Sequence, residues 1–179
     1  MVFRETELAG VWVIEPERLE DERGWFARTF DAEEFRIRGL DPVLVQGNSS
    51  FNSRAGTLRG LHFQTEAHGE PKLVRTIRGA VFDVVVDLRR DAATHGQWFG
   101  VELSEDNARM LYIPPGLAHG FQTLSDGTEV LYQMGRPYVP EAASGVRWDD
   151  PAFGIRWPAP PSGGLVISDK DRRYPDYQL

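Results

Sequence analysis

The chain has 179 residues and no cysteine, so disulfides and thiolate-held zinc or iron–sulfur centres are excluded. Twenty Lys and Arg against 27 Asp and Glu give a formal net charge of −7. That balance argues against a nucleic-acid-binding face, but not against a phosphorylated small molecule held in a local basic pocket.

The length predicts one domain over residues 1–179. No apolar run approaches a membrane span, and the opening residues Met1 to Glu5 carry no apolar signal segment. No membrane partner is expected, and the missing cysteines fit a cytoplasmic setting.

In chain order, short apolar and β-branched runs predict strands at Val11–Ile14 and Trp25–Phe30. Asp31–Gly39 is the one segment that reads as a helix. Asp31 can cap it, Glu33 and Glu34 suit its positive end, and Gly39 can stop it. Strands are then expected at Val43–Gln46, Thr57–Gln64, Leu73–Ile77, Ala80–Leu88, Gln97–Leu103, Met110–Ile113, Gly120–Leu124 and Glu129–Met134. Strands do not alternate with helices, so a doubly wound parallel sheet is unexpected. An all-β antiparallel sandwich or barrel with one short helix is the predicted class. From Tyr138 to Pro161 the composition turns to Pro, Trp and Gly and reads as an ordered loop wrapping the body. The end, Ile167-Ser168-Asp169-Lys170-Asp171, reads by itself as a solvated, charged terminus.

Within Ala80–Leu88, alternation sets Phe82, Val84, Val86 and Leu88 on one face and Asp83, Val85 and Asp87 on the other. Asp83 among valines either points into a cavity and pairs with a cation or sits on an outer face; alternation leaves both open.

Chemistry concentrates in Arg59-Gly60-Leu61-His62-Phe63-Gln64, in Lys72-Leu73-Val74-Arg75, and in Pro114-Pro115-Gly116-Leu117-Ala118-His119. His62 suits proton abstraction near neutrality. Strict alternation puts Arg59 on the face opposite His62, so sharing a pocket requires either a bend, which Gly60 allows, or the reach of the long Arg59 side chain from the strand start. Lys72, at a strand start, can point inward and stabilise a developing enolate. Arg59, Lys72 and Arg75 are candidates for the anion pocket. Tyr132 is either a core phenol or a proton donor opposite a histidine base. Tyr138 is a candidate pocket wall. For a metal, a cupin-type site needs a second histidine where this chain has Gln64, and a Glu that is missing from the expected offset. Two histidines and an amide are a poor donor set, so a metal-free pocket is expected, with a metal-dependent cupin as a rival.

These segments resemble the dTDP-4-dehydrorhamnose 3,5-epimerases, a cupin-like jelly-roll family. The likeness runs through Gly24-Trp25-Phe26, Gln46-Gly47-Asn48, Leu58–Gln64, Lys72-Leu73-Val74-Arg75, Arg78–Val84, Val101-Glu102-Leu103, Ile113–Phe121, Leu131-Tyr132, Arg147–Pro151 and Gly154-Ile155. The resemblance implies a cupin-type jelly roll. It also implies epimerisation at C3 and C5 of a nucleotide-linked 4-keto-6-deoxy sugar, with no metal or redox cofactor. By the same resemblance His62 is the base, Asp171 orients it, Lys72 holds the enolate and Tyr132 is the opposing acid. Arg23, Gln46, Asn48, Arg59, His119, Tyr138 and Lys170 are implied as substrate contacts, and a homodimer sharing pocket residues is implied as the assembly. Arg28 and Ala143 depart from the family's usual Glu, and Gly47 from its usual Asp. These departures leave open another nucleotide or action at only one carbon; the separate rivals are a one-carbon epimerase or ketoisomerase on a related 4-keto sugar and a noncatalytic sugar-nucleotide binding module.

Overall fold

The computed structural model describes residues 1–179 apart from the side chain of Glu66. The chain begins with β1 (Val2–Glu5), β2 (Trp12–Glu15) and the hairpin β3 (Leu19–Asp21) and β4 (Gly24–Phe26). It continues with α1 (Ala32–Arg36), β5 (Gln46–Asn52), β6 (Thr57–Gln64), β7 (Lys72–Arg78), β8 (Ala80–Asp87) and β9 (Trp98–Ser104). The last third holds β10 (Met110–Ile113), β11 (Leu117–Thr123), β12 (Thr128–Met134), β13 (Ala143–Gly145), β14 (Val166–Ile167) and α2 (Asp169–Arg172).

Two sheets carry the fold. The first has the order β1-β2-β10-β7-β12-β5, the second β13-β6-β11-β8-β9. All pairs in these two paths are antiparallel, while β14 lies parallel to β6. This is the mostly antiparallel, cupin-like jelly roll expected.

Side-chain alternation explains why the sheets face each other. Val74 and Val130 from the first sheet pack with Val81, Val85, Leu117 and Phe121 from the second. Full burial of such a side chain stabilises by about 1.5–3 kcal/mol. The other face of the second sheet is also covered. Val84, Val86, Leu61 and Ala118 pack beneath Val146, Phe153, Trp157 and Tyr177 of the C-terminal segment. That cover is why β8 carries valines on both faces.

Several predicted elements are adjusted. The helix keeps its Asp31 cap, which accepts from the Glu33 and Glu34 amides, but its α-helical turn spans Ala32–Arg36. Gly39 follows with φ +72°. The strand expected at Val43–Gln46 instead begins at Gln46 and runs through polar residues to Asn52. Trp25–Phe30 is strand only as far as Phe26. The charged end is corrected too: Ser168 caps α2 by accepting from the Asp171 amide, and Asp171 is buried.

Candidate active site

Strand register gathers the site. Met134 stands opposite Gln46 on β5 and Lys72 on β7, and Tyr132 opposite Asn48 and Val74. Cross-strand partners share a face, so Lys72, Tyr132, Gln46 and Asn48 all rise from the inner side of the first sheet. From the second sheet, His62 on β6 stands opposite His119 on β11. A cavity of about 610 Å³ lies between, lined by both sets.

Arg59 joins His62 through a bulge. His119 pairs with His62 and Phe121 with Arg59, so three steps along β6 oppose two along β11. The strands nearly touch there: a Cβ on Gly60 would lie 2.5 Å from the Gly120 Cα, and Gly60 has φ +129°. Glycine is required on both counts. The extra residue returns Arg59 to the His62 face, where its Nε donates to the Asn52 Oδ1 at 2.7 Å.

Three carboxylates back three basic groups. The His62 Nε2 lies 2.7 Å from the Asp171 Oδ1, and the Asp171 Oδ2 accepts from the Gly60 amide at 3.3 Å. Burial works against the Asp171 carboxylate. The hydrogen bond and charge of His62, with the bonds from Gly60 and Ser168, outweigh burial and hold its pKa below the ordinary value. With Nε2–H given to Asp171, the basic nitrogen of His62 is Nδ1. The His119 Nε2 lies 2.9 Å from each oxygen of Asp83. Asp83 is fully buried, and burial pushes its carboxyl upward against the pull of His119 and Lys72. The Lys72 Nζ lies 3.0 Å from the Glu70 Oε1, with both side chains buried. Tyr132 is half-buried, and desolvation raises its phenol above the ordinary value, partly offset by Arg59.

Of the eleven residues expected in the site, ten line this one cavity: His62, Tyr132, Lys72, Asp171, Gln46, Asn48, Arg59, His119, Tyr138 and Lys170. Arg23 does not. It caps the β3–β4 hairpin, exposed and paired with Asp21, and that hairpin pairs with neither main sheet. Arg75 is also outside, since three residues along β7 separate it from Lys72 and turn it to the opposite face beside Leu131. Arg28 binds Asp31 at 2.7 Å away from the cavity, whereas Ala143 lines it. Asp83 is no outer-face carboxylate: it is fully buried against His119, which lines the cavity, and does not line the cavity itself. Sequence reasoning missed Glu70, hidden in a loop motif, and Tyr174, whose ring stands edge-on to His62 at 6.3 Å. Among the described residues, no three His, Asp or Glu side chains converge as a metal site.

Comparison with known proteins gives one consistent result. A family model described as dTDP-4-dehydrorhamnose 3,5-epimerase matches residues 5–178. A relative of that name from Methanothermobacter thermautotrophicus is 50% identical over 172 residues, covering 96% of this chain and 92% of its own. The crystal structure of the dTDP-4-dehydrorhamnose 3,5-epimerase from Elizabethkingia anophelis superposes with a TM-score of 0.94 at 38% identity, over 99% of this chain and 96% of that one. The dTDP-6-deoxy-D-glucose-3,5-epimerase from Legionella pneumophila, solved with dTDP-4-keto-L-rhamnose, gives 0.89 at 36% identity and 99% coverage of each chain.

Proposed function

This chain belongs to the dTDP-4-dehydrorhamnose 3,5-epimerase family, and from that premise we propose how its own residues carry the reaction. It is an isomerase acting on a dTDP-linked 4-keto-6-deoxy sugar. The 4-ketone makes the hydrogens on C3 and C5 acidic. His62, oriented by Asp171, removes such a proton through Nδ1, and the electron pair moves onto the ketone oxygen as an enolate. The Lys72 ammonium meets that oxygen, as a fixed cation does at a developing charge. Tyr132, from the sheet opposite His62, donates its proton to the other face of the carbon, inverting it. The proton on His62 and the vacancy on Tyr132 re-equilibrate with solvent, and no metal or redox group enters the balance.

Arg59 and His119 meet the diphosphate, and Gln46, Asn48, Tyr138 and Lys170 hold the rest of the nucleotide sugar. Residues 1–179 act as one domain, with residues 138–179 wrapping the body and delivering Asp171. The working form is a cytoplasmic homodimer. The β3–β4 hairpin exposes Leu19, Trp25 and Phe26, and β5 and β7 expose Phe51 and Ile77. In the dimer the hairpin carries Arg23 to the partner's cavity.

The observation that carries this reading is the opposition of His62 on one sheet, backed by Asp171 from α2, to Lys72 and Tyr132 on the other, across a single cavity. Turnover of dTDP-4-dehydro-6-deoxyglucose in deuterated water tests it. Deuterium at both C3 and C5 is expected, and label at one carbon marks a one-carbon epimerase. Binding without any exchange marks a binding module and defeats the proposal. A panel of UDP-, CDP- and GDP-linked sugars tests the nucleotide, with preference for dTDP expected despite Arg28 and Ala143.

A further inference from the structure

Lys72 is a flexible four-carbon stem ending in three N–H donors. Held loosely, such a group solvates itself or swings away; held firmly, it presents a pre-aimed donor. Two acceptors meet it inside the protein. The Glu70 Oε1 lies 3.0 Å from Nζ, and the His62 backbone carbonyl 3.5 Å from it. Among the described residues, that leaves the third N–H for the cavity that Lys72 lines.

Glu70 is itself fixed. Its Oε2 accepts from the Gln64 Nε2 at 3.0 Å. That amide also lies 3.1 Å from the His68 carbonyl and 3.2 Å from the Pro137 carbonyl, and its Oε1 accepts from the Val139 amide at 2.6 Å. Gln64 thus ties the loop before β7 and the loop after β12 to one carboxylate. Pro71 joins Glu70 directly to Lys72. It packs so closely on Gly135 that a Cβ there would come within 2.4 Å of its ring, and its carbonyl accepts from the Gly135 amide at 2.9 Å. The chain of restraint runs from two loops to Gln64, from Gln64 to Glu70, and from Glu70 to the ammonium.

We propose that Glu70, locked by Gln64, is the positioning residue that aims the Lys72 ammonium at the substrate's ketone oxygen. It acts through Lys72 and takes no proton. The inference rests on the reading of Lys72 as the enolate-holding cation. It explains why a buried carboxylate faces a cavity built for an anionic ligand: its charge is spent on holding a cation still.

The test compares wild type with E70Q and E70D, measuring turnover of dTDP-4-dehydro-6-deoxyglucose and the stoichiometry of dTDP binding. The glutamine of E70Q cannot satisfy both neighbours, since an amide oriented to accept from Lys72 points its NH₂ at the Gln64 NH₂. The expected result for E70Q is a fall in kcat of about 10- to 100-fold. KM should stay within about threefold, with dTDP still filling one site per chain. E70D keeps the charge but is too short to reach both partners, so it should show the same split at smaller size. Its reading stands alone if E70Q does not accumulate folded. A kcat within threefold of wild type in the folded variant overturns the proposal. So does a kcat loss matched by loss of dTDP sites, because that marks a structural role. Wild-type protein that exchanges no hydrogen at all defeats the epimerase reading instead, so the two failures are distinguishable.

Discussion

Two histidines stand opposite each other on β6 and β11, and each lends its Nε2 to an aspartate. They are nevertheless different devices. The His62 side chain is 43% exposed and opens to the cavity; its aspartate arrives from α2, 109 residues away in sequence. The His119 side chain is 11% exposed, and Asp83 stands beneath it on the adjacent strand with no exposure at all. One carboxylate is held below its ordinary pKa by its partners, the other pushed above it by burial. An accessible imidazole on a charged carboxylate suits proton transfer. A sunken imidazole gripped by both oxygens of a buried carboxylate suits a fixed contact.

Alanine substitution separates the two most sharply. His62→Ala should lower kcat by about 10²- to 10⁴-fold and remove deuterium exchange at both carbons, because the base itself is gone. His119→Ala should act mainly on KM, by about tenfold, which corresponds to about 1.4 kcal/mol of binding. Steady-state kinetics in deuterated water read both; exchange that survives in H62A and vanishes in H119A would reverse the roles.

Tyr132→Phe should come next, with product formation falling about 10²-fold or more. Here the product and the exchange must part company. His62 still removes a proton and can return deuterium to the same face, so label should enter unepimerised substrate. NMR of recovered substrate decides it. Equal loss of exchange and product would place Tyr132 before the enolate, as part of the base's own machinery. Desolvation raises the Tyr132 pKa, so its hydroxyl should remain a donor past its ordinary value of about 10.

The two pairs also differ in how far the residues announce them. His119 and Asp83 sit in strands whose alternation is plain, and the pairing needed only the register of β8 with β11 to turn an open choice into a buried histidine–carboxyl contact. Asp171 had no such signal. Its burial depends on β14 lying along Thr57 and Leu58, a contact no local pattern encodes, so the segment reads alone as a charged end; only family resemblance pointed to it. The same limit hid Glu70, whose partner Gln64 looked like a failed metal ligand and is a loop lock. Arg75 was the reverse case. Its three-residue offset from Lys72 already placed it on the other face of a regular strand. Arg59 escaped that rule only because the Gly60 bulge adds a residue. The strand of Gln46–Asn52 was displaced for a different reason: its inward residues are polar because they face a ligand cavity rather than a core, and hydrophobic alternation does not see such a strand.

The smallest effect separates the pairs without any substrate. A carboxyl with a lowered folded pKa adds stability that is present above its unfolded value, about 3.9, and lost as pH falls through the folded value. Asp171 is that case, so D171N should flatten the acid side of the stability curve. A carboxyl with a raised folded pKa does the opposite. Its stabilising contribution is complete below the unfolded value and lost as pH rises through the folded one, because the fold then retains a proton that the open chain releases. Asp83 is that case, so D83N should lose less stability than wild type as pH rises above about 4. Denaturant midpoints for the three proteins between pH 3 and 7 would show two slope changes of opposite sign. The kinetic counterpart is D171N lowering kcat and D83N raising KM. Two variants whose curves bend the same way would mean that the aspartates share one environment, and the division between a working pair and a gripping pair would go with it.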